Sequence, residues 1–112
     1  MNDLRLALRQ FAAERDWEQF HSPKNLASAL SVEAAELLEH FQWLTEQQSR
    51  ELAVAEREAV AAEMADVLLY LVRLADGLGI DLLAAARAKM RVNAQKYPVD
   101  KARGSSRKYD KL

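Results

Sequence analysis

Cysteine is absent from this 112-residue chain, which excludes disulfides, thiolate-bound metals and cysteine nucleophiles from its chemistry. Glycine occurs three times and proline twice, without a glycine-rich phosphate loop, and no serine stands in a Gly-x-Ser-x-Gly setting. An excess of charge of one sign is missing as well. Sixteen Lys and Arg against seventeen Asp and Glu leave a net charge of -1, so no broad basic surface is offered to a nucleic acid polymer. A polyanionic partner should therefore be small. Long apolar runs are also lacking: Val67 to Val72 falls far short of a membrane span, and no charged-then-apolar leader opens the chain. A soluble, cytoplasmic protein that does not enter a membrane is expected.

What is present favours helices. Hydrophobic residues make up 50% of the chain, Ala and Leu dominate them, and little interrupts them, so the expected fold class is all-α in a single domain. A first helix should run from about Asn2 or Asp3, either one a suitable N-cap, to about Trp17, with Leu4, Leu8, Phe11 and Ala12 on one stripe. Ser22-Pro23 is a start signal for a second helix reaching about Trp43. The connection should lie within Thr45 to Ala55, where Thr45-x-x-Gln48 can cap a short turn. A third helix, about Ala53 to Leu78, becomes apolar nearly all round from Met64 onward. So small a chain can hardly cover such a helix, which should pack against another subunit. Gly77 and Gly79 stop it, Asp81 caps a fourth helix ending near Tyr97, and Pro98 terminates that. The expected organisation is thus a helical domain over residues 1–98 and a basic, mobile tail over residues 99–112.

Two acidic pairs of identical spacing, Glu33-x-x-Glu36 and Glu63-x-x-Asp66, sit inside the second and third helices. Residues three apart share a helix face, so each pair aims two acids the same way. The bland account of such a pair is a solvated helix face. Against it stand the apolar neighbours of both pairs, among which unpaired negative charge is costly, and a connection that lets the two helices return antiparallel and their acids converge. Hard oxygen donors without sulfur suit Mg²⁺, with Mn²⁺ as a substitute, and Mg²⁺ held by carboxylates usually completes its shell with water and phosphates. A di-iron carboxylate bundle would need Glu-x-x-His on two helices. Neither His21 nor His40 follows a glutamate at that spacing, so both read as hydrogen-bonding or surface residues.

Trp17 and Trp43 fall near helix ends, where tryptophans commonly serve as half-buried packing residues. Beside a polyphosphate site they would instead offer flat faces to a nucleobase. Tyr70 joins them, one turn beyond Asp66 on the same face.

These residues resemble the signature of the MazG-like nucleoside triphosphate pyrophosphohydrolases: Glu-x-x-Glu, a spacer at residues 37–62, then Glu-x-x-Asp. The likeness extends to Phe11-Ala-Ala-Glu-Arg-Asp-Trp-Glu-Gln-Phe-His, Glu39-His-Phe-Gln-Trp43, Lys89-Met through Lys96-Tyr97-Pro98, and Ser105-Ser-Arg-Lys-Tyr109, which look like the dCTP pyrophosphatase branch. The resemblance implies a four-helix, all-α unit assembled as a homotetramer, a dimer of dimers, with active sites between chains. It implies Mg²⁺ ligation by Glu33, Glu36, Glu63 and Asp66, and a pyrimidine sandwiched by Trp17 and Trp43. Tyr70 and Asn93 would contact sugar or base, and Lys89 and Lys96 the phosphates. Arg107, Lys108 and Tyr109 would close over the site from the tail.

The implied reaction is attack of water on the α-phosphorus of a dNTP, dCTP or a 5-modified dCTP foremost, releasing dNMP and pyrophosphate in cleansing of the nucleotide pool. Glu33 or Glu36 would orient the water, and the residues do not choose between them. Two rivals remain at this level: hydrolysis of another triphosphate such as dUTP or a noncanonical purine, and a helical assembly that binds nucleotides without hydrolysing them.

Overall fold

Capping chemistry decides where the helices begin and end. The computed structural model describes residues 1–111, and among them there is no strand. The helices are α1 (Asn2–Glu14), α2 (Pro23–Glu39), α3 (Glu46–Arg50), α4 (Val54–Gly77), α5 (Leu82–Lys96) and α6 (Val99–Ala102), with 3₁₀ turns at Glu18–Phe20 and Tyr109–Lys111. Ser22 Oγ accepts from the Asn25 N–H with Pro23 in the first turn, and Asp81 accepts from the Ala84 N–H. Thr45 and Gln48 form a reciprocal capping box that starts α3. At the end of α4, Gly79 takes φ +67°, a left-handed conformation that glycine adopts without penalty.

Three boundaries differ from expectation. Met1, not Asn2 or Asp3, occupies the first N-cap position, and the Asn2 side chain accepts from the Arg5 guanidinium instead. Helix α1 stops at Glu14, short of Trp17. There Asp16 adopts φ 53° while the Trp17 N–H reaches back to Ala12 O at 2.9 Å and the Asp16 N–H to Ala13 O at 3.2 Å, the pattern of a Schellman stop. Aspartate tolerates the left-handed region better than most residues, which lets a non-glycine close this helix. Helix α2 ends at Glu39, and residues 40–44 run on as tight turns that leave Trp43 outside the helix. In the tail, α6 and the 3₁₀ turn at Tyr109 add order that a basic, Ser-rich composition did not announce.

The chain forms two units, Met1–Gly79 and the segment from Ile80 onward. In the first, α4 packs chiefly along α2 and also on α1. Its core is made of Ala12, Leu26, Val60, Val72 and Ala75. A polar clamp also joins α1 to α4. The Asp76 carboxylate is 7% exposed and accepts from Arg5 Nη1 at 3.0 Å and from Arg9 Nη2 at 2.6 Å, with Arg73 Nη1 at 3.8 Å. Val32 and Leu38 on α2 and Met64 and Leu68 on α4 remain exposed. In the second unit, the Tyr109 ring returns to the end of α5, edge-on to Tyr97 at 6.2 Å and 4.7 Å from the Lys96 ammonium.

Candidate active site

The packing of α2 on α4 brings together three of the four acids named from the sequence. One carboxylate oxygen from each of Glu33, Glu36 and Glu63 lies within 4.8 Å of the others. Oε2 of Glu33 and Oε2 of Glu63 are buried and have no hydrogen-bond partner. Such atoms cost about 1–3 kcal/mol each, and more when charged, unless something cationic meets them. The Glu33 carboxyl is pushed up to about 7 by a hydrogen bond shared with Glu36, by burial, and by the charges of Glu36, Asp66 and Glu63. Its surroundings thus call for a positive charge. His40, at the C-cap of α2, reaches Glu63 with Nε2 3.8 Å from Oε1 and supplies that charge only when protonated.

Oxygen donors, orphaned buried lone pairs and mutually repelling carboxyls together fit a hard divalent cation. Asp66 lies outside this trio and is exposed. It lines an adjoining cavity of about 170 Å³, together with Tyr70 and Arg73 from the same face of α4 and with Trp17 and His21. Leu8, Phe11, Ala12 and Leu69 complete the apolar wall. The Schellman stop of α1 brings Trp17 to this wall, where it meets Phe11 edge-on at 5.7 Å and His21 at 6.3 Å.

Of the remaining residues named from the sequence, Trp43 belongs to the first unit and the others to the second. Trp43 is 87% exposed and is not among the residues lining the cavity. Lys89 and Asn93 occupy one exposed face of α5, and Lys96 at its end is engaged by Tyr109. Arg107 and Lys108 are exposed, the Arg107 N–H donating to Ser105 Oγ. All six positions from Lys89 to Tyr109 belong to the second unit.

Two cavity residues escaped the sequence reading. Arg73 stands in an otherwise apolar stretch, on the face carrying Asp66 and Tyr70, and that spacing was available as a signal. His21 was assigned a hydrogen-bonding or surface role; it lines the cavity, and its Nδ1 accepts from Arg73 Nε at 3.3 Å. No local signal joins residues so far apart in the chain.

The MazG-like family model matches residues 28–112. The chain is 47% identical over 114 residues to dCTP pyrophosphatase 1 of Homo sapiens, an alignment covering 100% of this chain and 67% of that protein. It is 48% identical, with the same coverage, to dCTP pyrophosphatase 1 of Mus musculus. Among solved structures, a pyrophosphatase from Archaeoglobus fulgidus is 42% identical and superposes with a TM-score of 0.82 over 88% of this chain and 92% of its own.

Proposed function

The chain belongs to the MazG-like family, and from that premise we propose that it is a divalent-metal-dependent nucleoside triphosphate pyrophosphohydrolase, converting dCTP or a 5-modified dCTP to the monophosphate and pyrophosphate. The observation that carries this reading is the trio Glu33, Glu36 and Glu63, with two buried carboxylate oxygens left without partners. These three residues would hold Mg²⁺, or Mn²⁺ in its place, with Asp66 as the fourth ligand at the cavity edge. When bound, the cation would neutralise phosphate oxygens whose repulsion otherwise opposes attack.

The protein's own residues do the rest. Glu33 and Glu36, whose carboxylate oxygens approach within 4.8 Å, are the carboxylates that would orient the water that adds at the α-phosphorus as pyrophosphate departs. Trp17 and Tyr70 offer aromatic faces to the base, each such stack being worth about 1–3 kcal/mol. Trp43 would cover the base from outside the cavity, and Asn93 would meet sugar or base. Lys89, Lys96, Arg107, Lys108 and Tyr109 would meet the triphosphate. That division makes residues 1–98 the catalytic domain and residues 99–112 a tail that closes over substrate.

Homotetramer assembly, with active sites between chains, is part of the same proposal. Its support is the apolar surface that α2 and α4 leave exposed at Val32, Leu38, Met64 and Leu68. No helix among the described residues is long and apolar enough to cross a membrane. Cleansing of the nucleotide pool would place the protein in the cytoplasm.

A panel of dNTPs incubated with and without Mg²⁺ tests the reading. Cation-dependent release of pyrophosphate, fastest from dCTP or its 5-modified form, is expected. Release of orthophosphate would overturn the reaction class, and cation-dependent binding without turnover would favour the non-hydrolytic assembly. A preference for dUTP or a purine would change the substrate alone.

A further inference from the structure

Helix α2 carries one more polar residue on its acid face, and the proposed reaction does not use it. Glu33, Glu36 and His40 follow one another at spacings of three and four, so the imidazole extends the stripe of acids by one turn. As the C-cap of α2, His40 keeps helical backbone angles, φ -68° and ψ -18°, and its N–H bonds back to Leu37 O and Leu38 O, which holds the ring on that face. Where α2 packs on α4 it meets Glu63, with Nε2 3.8 Å from Oε1. The two oxygens of Glu63 are thereby told apart. Oε2 is buried without a hydrogen-bond partner, whereas Oε1 faces a ring nitrogen. The acids close into a set of three that leaves His40 out, so the imidazole serves Glu63 and is not a fourth donor of that set. A gap of 3.8 Å is longer than a hydrogen bond, and a small turn of a side chain that is 33% exposed closes it. Nε2 carries a hydrogen in the imidazolium and in one neutral tautomer alike, so the contact needs a donor and not a charge.

Resting on the metal-dependent reading above, we infer that His40 is a positioning residue whose Nε2–H takes Oε1 of Glu63 and leaves Oε2 as the single oxygen turned to the divalent cation. A carboxylate without such a partner can rotate, present either oxygen or chelate with both. With one oxygen engaged it offers the other alone, in one orientation. Mg²⁺ accepts few protein oxygens and keeps several waters, so a Glu63 limited to one oxygen preserves coordination places for phosphate. Outer partners of metal-binding carboxylates are worth about 10–100-fold in affinity. Solvent competes for Oε1 at a ring one-third exposed, which puts the effect here at the lower end, about tenfold.

Calorimetric titration of Mn²⁺ alone into the full chain, without nucleotide, tests this apart from turnover. His40→Leu should bind Mn²⁺ about tenfold more weakly than wild type. His40→Gln, whose amide keeps an N–H donor at similar reach, should return the affinity to within threefold of wild type, a rescue that neither lost packing nor lost charge would give. Electron spin echo spectra of Mn²⁺ bound to the wild type should lack the strong ¹⁴N coupling of a directly ligated imidazole, a readout that stands whether or not the variants fold. Undiminished affinity in His40→Leu, failure of His40→Gln to restore it, or direct ¹⁴N coupling would each overturn the inference while leaving the metal-dependent reading intact. A wild type that binds no Mn²⁺ would overturn both.

Discussion

Asp76→Asn should destabilise the protein by about 2 kcal/mol, and the figure follows from the clamp between α1 and α4. The carboxylate is 7% exposed and takes Arg9 Nη2 at 2.6 Å, Arg9 Nε at 3.1 Å and Arg5 Nη1 at 3.0 Å. Hydrogen bonds to charged groups contribute about 1.5–3 kcal/mol when desolvated. The Arg5 and Arg9 side chains are 34% and 50% exposed, and solvent screens what they would otherwise contribute, so the sum is held near a single strong bond. Loss of the charge also leaves Arg5, Arg9 and Arg73 facing one another. For a chain of this length, 2 kcal/mol lowers Tm by about 8 °C.

Thermal and urea unfolding at fixed protein concentration would read the change. Because α1 carries the wall at Phe11 and the turn bearing Trp17, KM should rise as well. Hydrogen bonding by Arg9 above all holds the Asp76 carboxyl below its ordinary range, so its contribution is full above that range and lost as pH falls through the depressed value. Wild type and variant should converge in strong acid. A Tm change under 2 °C, or a difference that persists unchanged at acid pH, would refute the reasoning.

The other predictions concern the site. With EDTA present, Glu33 binds its proton more tightly in the folded protein than in the unfolded chain, its carboxyl standing at about 7. Its share of stability should therefore decline as pH rises from the ordinary carboxylate range through about 7, and Glu33→Gln should flatten that slope in melts recorded across pH. Glu63→Gln should abolish both turnover and the Tm increase produced by Mg²⁺; a variant that keeps either would separate Glu63 from the cation. Trp43→Ala should leave Tm within about 2 °C of wild type, since the side chain is 87% exposed. It should nevertheless raise KM most for the true substrate. Equal KM losses for every base would leave Trp43 without a part in selecting the base.

Signals confined to a few residues were legible in the sequence. Ser22-Pro23, the Thr45–Gln48 box, Asp81 and Gly79 each act within one turn, and each stands where the chain pattern put it. The all-helical class followed from composition. The early end of α1 was not legible, because it depends on an aspartate accepting a left-handed conformation that composition assigns to glycine. The site divides along the same line. Spacing predicted that Glu33, Glu36 and Glu63 could converge, because helix periodicity sets their faces. The split between that trio and Asp66 depends on how α2 crosses α4. The Arg73–His21 pair depends on a contact between α4 and a loop far away in the chain.

The central claim is that the acids of α2 and α4 share a divalent cation. Titrating Mn²⁺ into the protein and following free Mn²⁺ by electron paramagnetic resonance examines it most directly. The account predicts saturable binding at or below millimolar Mn²⁺, displaced by Mg²⁺ and lost in Glu63→Gln. An absence of binding at that concentration, or undiminished binding by the variant, would contradict it.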